Sequence, residues 1–462
     1  MQRFTYIALF SCIVLLFAAT GCSDDEPVSP VNGGSNGDGS LGKSGSSYLV
    51  EYGSEKQLQK GVQAVGGVID DSFSQINVAS VSGLTDTDAQ VLEGMPGIQS
   101  VTRDDAVQWV PTLQQALGFT TQTVSSVTPQ SNPANATLFG LQWGLQTINA
   151  PAAWTITKGS SEVRVGVLDT GISPDHVDLA GKYDLSKSIN LSPSNPGDPS
   201  DYQDRHFHGT HVSGTISTNN IGVAGVAPDV TLVGVKVLGD DGSAPFANIL
   251  AGMMYATDVA DCDIINLSLG GYGPRAKWGR FISMVYKAVN YCNANGVLVV
   301  MAAGNDGIDL DHNGPFVTLP AEAGAGMAIS ATGPTFGNDP TGMACYTNYG
   351  TSAISIAAPG GNFDCANSSL NAIGDLVISC FAPYIAQQIG APNPTAMYVW
   401  AAGTSMAAPH AAGAAALVET AKGNSNPGYL RARMQNTAMA LGAPGADPYY
   451  GKGHLDVGAA VQ

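Results

Sequence analysis

The sequence predicts an α/β protein in which helices cover a parallel sheet and a small α+β module precedes it. First, 44% of the 462 residues are hydrophobic and only 12% are charged, which is typical of a globular chain with a large core. Second, near-continuous apolar runs indicate strands buried on both faces. These runs span 163–169, 230–238, 263–271, 296–305, 327–333 and 353–361. Third, helical patterns lie between or after them, at 246–260, 280–294 and 404–421.

Residues 1–22 are typical of an export signal. Arg3 precedes an apolar run from Ile7 to Ala19 that is too short to span a bilayer comfortably. The small residues before Cys22 resemble the cleavage motif of bacterial lipoproteins, which predicts lipidation of Cys22, with ordinary secretion as the alternative. We therefore expect an exported protein, anchored through lipid at the outer membrane or cell surface, or otherwise secreted.

The pattern changes three times along the rest of the chain. Residues 23–46 are rich in Gly, Ser, Asp and Pro, which predicts a disordered tether. Residues 47–110 alternate strand, helix, strand, helix, strand, as in a small α+β module. Residues 111–138 lose this periodicity and are expected to form an exposed, cleavable linker. The stretch 139–462 is long enough to bury a core of its own.

Charge excludes one class of partner. The chain has 19 basic and 37 acidic side chains, a formal net charge of −18. The phosphates of a nucleic acid would be repelled by this field, so no nucleic-acid partner is expected. An acidic surface suits an extracellular domain, and we expect a monomer.

The cysteines predict disulfides with one free thiol. Cys12 lies in the signal and Cys22 is the lipidation candidate, so an odd number, five, remains: Cys262, Cys292, Cys345, Cys365 and Cys380. An export compartment allows disulfides to form. The expected pair is Cys262–Cys292, on neighbouring predicted elements, followed by Cys365–Cys380 as a second choice.

Asp169 stands at the carboxyl end of the strand 163–169, just before Thr170 and Gly171. Ligand sites of α/β proteins lie at such strand ends. An Asp in this position also commonly caps a turn, so this residue alone does not decide the function.

Two further motifs follow. His208 begins the string His-Gly-Thr-His-Val-Ser-Gly-Thr, where its Gly and Ser spacing suits a closely packed helix. Ser405 lies in Gly-Thr-Ser-Met-Ala-Ala-Pro-His at the start of a small-residue helix, beside the positive end of the helix dipole. Ser is ordinarily a cap at such a position, but the flanking residues are much more specific than a cap requires.

An Asp, a His and a Ser together supply what a nucleophilic triad needs. The hydroxyl is inert until a His takes its proton, and a carboxylate must orient that imidazole. In this order and in these contexts, Asp169, His208 and Ser405 resemble the triad of subtilisin-like serine proteases, the subtilases, over residues 140–462. The resemblance implies a three-layer subtilisin-like catalytic domain and a secreted serine endopeptidase acting on proteins or peptides.

The resemblance also implies further site residues. Asn305 matches the side-chain donor to the oxyanion. Ser268-Leu269-Gly270 and Ala302-Ala303-Gly304 match the two walls of the primary specificity pocket. Gly242-Ser243-Ala244 matches the edge segment that pairs with an extended substrate.

Calcium and a propeptide are implied in the same way. Asp178 matches a carboxylate ligand of the structural calcium site of the family, although the partner loop 218–222 looks shortened. The module 47–110 resembles the family's propeptide, a ferredoxin-like α+β domain that inhibits its own protease until self-cleavage, here expected within 105–140. An unrelated small binding domain is the alternative for this module.

Two alternative functions remain. His206, His208 and His211 form an H-x-H-x-x-H string that could hold zinc in a metal-dependent hydrolase, but this leaves Asp169 and Ser405 unexplained. A non-catalytic surface binding lipoprotein on a protease fold is the other. It would be marked by a broken triad, which the sequence does not show.

Overall fold

The computed structural model describes residues 46–112, 120–125, 127–335, 337–366 and 372–462. The predicted signal, the lipidation of Cys22 and all of the tether but its last residue lie outside these ranges. No helix within them is long and apolar enough to cross a membrane.

The N-terminal unit is a four-stranded antiparallel sheet of order β2-β3-β1-β4 with two helices. Its elements are β1 (Ser46–Tyr52), α1 (Glu55–Val65), β2 (Val68–Phe73), β3 (Val78–Leu84), α2 (Asp86–Glu93) and β4 (Ile98–Arg103). The βαββαβ order is that of a ferredoxin-like fold. Strand β2 is not predicted from sequence because four of its six residues are exposed and it shows no apolar alternation.

The large domain is built on a seven-stranded, wholly parallel sheet of order β16-β15-β13-β11-β7-β9-β8. The strands are β7 (Arg164–Asp169), β8 (Ile189–Asn190), β9 (Thr231–Lys236), β11 (Ile264–Leu267), β13 (Leu298–Ala302), β15 (Met327–Thr332) and β16 (Ile354–Pro359). This confirms the predicted α/β class and the six predicted strands, to which the two-residue edge strand β8 is added. Strands β8 and β9 lie on one side of β7, and the later strands β11, β13, β15 and β16 follow on its other side.

Helices form a layer on each face of this sheet. The main ones are α5 (His208–Ile216), α6 (Phe246–Asp258), α7 (Arg275–Ala294) and α9 (Thr404–Lys422). Helices α5 and α9 share one apolar core with the sheet, and α6 and α7 share the other. The result is the predicted three-layer arrangement, with α7 beginning five residues earlier than expected.

The remaining β-strands and α-helices of the described residues are mostly short. They are β5 (Val107–Gln108), β6 (Thr121–Thr123), α3 (Trp143–Thr147), α4 (Ala150–Trp154), β10 (Ser243–Ala244), β12 (Gly271–Pro274), β14 (Phe316–Leu319), β17 (Val377–Cys380), α8 (Pro383–Gln388), β18 (Met397–Ala401), α10 (Pro427–Thr437) and α11 (Val457–Ala460). Strand β6 lies inside the segment expected to be a linker, yet it pairs with β18 of the large domain.

The N-terminal unit docks on the large domain through the face of its sheet that its own helices leave free. Leu49, Phe73 and Val78 on that face belong to the same buried cluster as α6 and α7. Polar contacts border it: Lys287 Nζ lies 2.8 Å from Glu51 Oε1, and Arg280 pairs with Glu93.

The disulfide prediction was wrong. Cys345 is bonded to Cys365, with Cα atoms 6.1 Å apart. Cys262, Cys292 and Cys380 are free thiols and all are buried. The expected pairs relied on which elements follow each other in the chain, whereas Cys345 and Cys365 are brought together by loops that have no sequence pattern.

Candidate active site

Asp169 and His208 meet where β7 ends and α5 begins. His208 Nδ1 lies 2.8 Å from Asp169 Oδ1, and both side chains are buried. The approach depends on Gly209, since a Cβ there would lie 2.2 Å from the carbonyl oxygen of Gly171. Because Nδ1 donates to the carboxylate, Nε2 is left as the acceptor of a proton.

Asp169 increases the basicity of the His208 imidazole. Burial opposes the charged imidazolium, but the charge and hydrogen bond of Asp169, with the charge of Asp204, outweigh it and raise the pKa of His208 above its ordinary value. An imidazole with a raised pKa is a stronger proton acceptor in its neutral form.

Asp204 fastens these two elements together, a role that sequence reasoning missed. It is fully buried, and its Oδ1 accepts from Thr170 Oγ1 at 3.0 Å and from the N–H of Phe207 at 2.9 Å. Its Oδ2 accepts from the N–H of Thr210 at 2.9 Å. Burial favours the protonated acid, but hydrogen bonds from Thr210, the charge of Lys236 and the N–H of Phe207 lower the pKa of Asp204. Asp204 thus stays ionised and joins the end of β7 to the start of α5.

Ser405 is the second residue of α9, whose first turn is fixed by Asn305. Asn305 Oδ1 accepts from both the N–H and Oγ1 of Thr404, at 2.9 Å each. Since that oxygen is occupied, the Nδ2 amide group remains to donate. In the described part of the chain no hydrogen bond joins Ser405 Oγ to His208, which is common before substrate is bound.

The predicted pocket segments lie next to this serine. Ser268 Oγ donates to the carbonyl of Ser405 at 2.7 Å and so ties the end of β11 to α9. The other wall, Ala302-Ala303-Gly304, begins at the last residue of β13. The N–H of Gly304 donates to Thr404 Oγ1 at 3.1 Å. Both predicted walls therefore meet at the first turn of α9.

A segment of the N-terminal unit occupies the cleft between the edge segment and the first wall. Residues 104–112, which we call the tail, contribute β5, which pairs antiparallel with Ser243 and Ala244 of β10. Beyond β5, the N–H of Trp109 donates to Gly242 O at 3.1 Å, and the carbonyl of Trp109 accepts from the N–H of Gly270 at 3.2 Å. The tail therefore forms a middle strand between the two segments predicted to hold substrate.

Two side chains anchor the tail. Trp109 is 4% exposed, donates from Nε1 to Ala244 O at 2.8 Å and packs edge-on against Phe246. Asp104 caps the N-terminus of α6, accepting from the N–H groups of Phe246 and Ala247 at 2.8 and 2.9 Å. Burial raises the pKa of Asp104 to about 6, against the lowering effect of these donors.

Comparison with known proteins identifies the architecture. A profile described as the subtilase family matches residues 160–453. The chain belongs to the subtilase family. Subtilisin BL of Lederbergia lenta is 35% identical over 322 residues, 69% of this chain and 98% of the relative. Thermitase of Thermoactinomyces vulgaris is 32% identical over 324 residues, 70% of this chain and 96% of the relative. This subtilase is therefore a serine endopeptidase.

A solved structure extends the likeness beyond the catalytic domain. The epidermin leader peptide processing serine protease of Staphylococcus aureus superposes with a TM-score of 0.72 at 23% identity, over 90% of this chain and 98% of that one. At this identity the comparison bears on fold alone, and it agrees with the three-layer domain described above.

The histidine string of this subtilase does not converge on a metal. His208 contacts Asp169, His211 Nε2 faces Val377 O at 3.2 Å, and His206 Nε2 faces Pro111 O at 2.7 Å. Among the described residues no cluster of three or more His, Cys, Asp or Glu is arranged to hold a metal ion. The zinc alternative therefore has no geometric support.

Asp178 does not fit the calcium ion that the family resemblance implies. Its Oδ1 accepts from the N–H of Ile221 at 2.6 Å, and its Oδ2 accepts from the N–H groups of Gly222 and Val223 at 2.9 and 3.1 Å. Tyr398 adds its hydroxyl to Oδ2 at 2.8 Å. Calcium is bound by oxygen ligands, whereas this shortened loop turns three N–H donors toward the carboxylate, and with Tyr398 the Oδ2 atom alone accepts three hydrogen bonds.

Proposed function

We propose that this endopeptidase is made as an inactive precursor, and that Asp169, His208 and Ser405 hydrolyse peptide bonds once the N-terminal unit is cut off. The contact between Asp169 and His208 supports the triad. The tail between Gly242 and Gly270 supports the precursor, because it takes the place that an extended substrate would need.

The reaction follows from these groups. Ser405 Oγ attacks the scissile carbonyl carbon while His208 Nε2 takes its proton, and Asp169 stabilises the imidazolium. The oxyanion accepts from Asn305 Nδ2 and the N–H of Ser405. When the C–N bond breaks, His208 returns the proton to the leaving amine. Water then attacks the acyl ester through the same imidazole, releasing the acid and restoring Ser405.

The contacts of the tail and of strand β6 narrow the expected site of self-cleavage from residues 105–140 to a shorter segment. The tail is held up to Pro111, whose carbonyl oxygen faces His206. Strand β6 at Thr121 is already part of the large domain through its pairing with β18. A cut between these points frees the N-terminal unit and leaves the catalytic domain whole, so we place it within residues 112–120.

The family position of the chain and the pattern of residues 1–22 support export. We place the precursor on the outer face of a membrane through lipid on Cys22, and the mature enzyme, which the cut separates from Cys22, is released from that anchor. Its substrates are then exposed peptide segments of extracellular proteins, which extended main-chain pairing accommodates with little regard to sequence.

The deciding experiment compares the wild-type chain with Ser405→Ala. The wild type should lose a fragment that ends within residues 112–120, by N-terminal sequencing, and should hydrolyse an unfolded protein. Ser405→Ala should stay full length, with activity lower by roughly 10⁶-fold, the loss known for the same residue type in subtilisin itself. In a Cys22→Ser chain expressed in parallel, the precursor and the released N-terminal fragment should leave the membrane fraction, while the matured enzyme keeps its activity.

Other outcomes separate the alternatives. If both chains stay intact and inert yet fold, the catalytic proposal is wrong and a binding lipoprotein is favoured. If Ser405→Ala is cleaved as the wild type is, a contaminating protease is responsible and self-processing is disproved. If a chelator abolishes activity and zinc restores it, the alternative function as a zinc-dependent hydrolase is favoured.

A further inference from the structure

His206 lies beside the reaction centre but has no place in the triad. Its side chain is 1% exposed, and its ring centroid is 6.3 Å from that of His208. It stacks on Phe207 with ring planes 11° apart. Phe207 has a φ of 97°, a strained value for a bulky residue. The backbone and the stacking thus hold the imidazole of His206 in one orientation.

The hydrogen bonds of His206 fix its tautomer. Nε2 lies 2.7 Å from the carbonyl oxygen of Pro111, which only accepts, so Nε2 carries the proton. Nδ1 is buried and has no hydrogen-bond partner among the described residues. Burial first, and then the charge of His208, lower the pKa of His206, which agrees with a neutral ring.

The donor at Nε2 therefore depends on the tail. Pro111 belongs to the segment that leaves on maturation, and no other partner of Nε2 exists in the described ranges. When a bound peptide covers the cleft in place of the tail, Nε2 loses contact with water again, and a buried donor without an acceptor would be unfavourable. Pro111 follows Trp109 by two residues, and the main chain of Trp109 is hydrogen-bonded to Gly242 and Gly270, in the segments predicted to bind substrate. A substrate that replaces the tail between these segments would therefore bring its own main chain to the position of Pro111.

We propose that His206 is a substrate-binding residue of the mature enzyme, donating from Nε2 to the main-chain carbonyl that replaces that of Pro111. This rests on the proposed function, in which the tail mimics substrate. The ligand is an extended peptide, recognised at this point by its backbone and not by a side chain. The contact holds the peptide beside His208, so its loss should weaken binding more than turnover.

The test uses the enzyme matured from the full chain and a quenched fluorogenic peptide with the sequence of residues 105–124. A second peptide carries a thioamide in place of the Pro111 carbonyl, since sulfur accepts hydrogen bonds poorly. A control peptide carries the thioamide at Val110, whose carbonyl accepts from Gln108 of the tail itself. We expect the Pro111 thioamide to raise KM by about 3- to 10-fold with little change in kcat, and the control to change KM less.

Variants of the enzyme complete the cycle. His206→Ala should raise KM for the all-oxygen peptide by a similar factor and remove the difference between the Pro111 peptide and its parent. His206→Gln, which keeps an N–H donor, should recover part of the loss. If the Pro111 thioamide costs nothing, or costs the same in wild type and His206→Ala, the assignment of His206 is wrong while proteolysis stands. If wild type cleaves no peptide at all, the proposed function fails and this assignment fails with it. Should His206→Ala not fold, the wild-type comparison of the three peptides still decides.

Discussion

At the scale of single residues, the pair of Asp169 and His208 makes activity depend on pH. The pKa of His208 is raised above 6.5, and only the neutral imidazole accepts the serine proton. Activity should therefore rise with pH through a value above 6.5, measured as kcat/KM on a peptide substrate. Asp169→Asn should lower kcat by roughly 10⁴-fold, because the imidazole loses its carboxylate partner and takes the wrong tautomer.

The control for this prediction is Asp229→Asn, which neutralises an exposed carboxylate outside the described site. It should keep both the rate and the midpoint of the profile. A wild-type profile whose acid limb lies below 6.5, or an Asp169→Asn enzyme of near-normal rate, would contradict the prediction.

The residues of the site differ in how far the sequence reveals them. Asp169, His208 and Ser405 lie in strings specific enough to indicate the chemistry directly. Asp204 is not indicated, because its role depends on contacts with Thr170 and Thr210 through space. Its only local signal is a position four residues before His208. Sequence patterns thus predict the groups that react better than those that hold them in place.

At the scale of elements, buried strands are predicted well and exposed or paired ones poorly. The six strands predicted from the sequence are largely apolar on both faces, so their pattern is clear. Strand β5 has only two residues and forms by pairing with β10, 135 or more positions away in sequence, so no local pattern indicates it. The loop 218–222 beside Asp178 is different again. The sequence shows that this loop is shortened, but it does not show that the N–H groups of the loop are turned toward the carboxylate of Asp178.

That loop gives a prediction about metal removal. Because three N–H groups and Tyr398 already satisfy Asp178, Asp178→Asn should lower the stability of the Ser405→Ala precursor by the same amount in chelator and in excess calcium. Melting temperatures under the two conditions check this. A carboxylate that bound calcium would behave differently, since calcium at 100 times its Kd adds about 2.7 kcal/mol to stability. A loss seen only in calcium would show that the loop binds the ion.

Tyr398→Phe is the matched variant for this element. Burial, and then the charge of Asp178, raise the pKa of Tyr398, so its hydroxyl stays protonated and donates. Removing it should cost about 1 kcal/mol, the net value of one hydrogen bond, with no dependence on calcium.

At the scale of the whole molecule, the N-terminal unit and the large domain pack together into one assembly. The sheet of the N-terminal unit covers α6 and α7, Asp104 caps α6, and the tail continues from that cap into the cleft. The order of the units along the chain is predictable from composition. How the two units dock is not predictable, because apolar residues such as Leu49 and Val78 on the free face of the sheet cannot be told from core residues of the N-terminal unit by their sequence pattern.

Far from the cleft, a carboxyl pair made of buried Glu419 and partly buried Asp263 should make the stability of the fold decrease as pH rises from about 4.3 to about 8. Glu419, near the end of α9, shares a hydrogen bond with Asp263, and its buried Oε2 has no hydrogen-bond partner in the described part of the chain. Burial first, then the charge of Asp263, raise the pKa of Glu419 to about 8, against about 4.3 in an unfolded chain. The folded protein thus holds a proton that the unfolded one releases. The stability this proton contributes is fully present below pH 4.3 and is lost as pH rises toward and through 8, by at most about 1.4 kcal/mol per pH unit.

Glu419→Gln should therefore match the wild type near pH 4, exceed it progressively as pH rises to about 8, and keep a constant advantage above that. Melting temperatures of the full chain from pH 4 to 9, in a Ser405→Ala background that prevents autolysis, measure this. Glu162→Gln, at an exposed position, should follow the wild type throughout. A Glu419→Gln curve parallel to the wild type throughout this range would show that Glu419 is ionised at neutral pH in the folded protein, and any loss of stability with rising pH would then have to arise elsewhere.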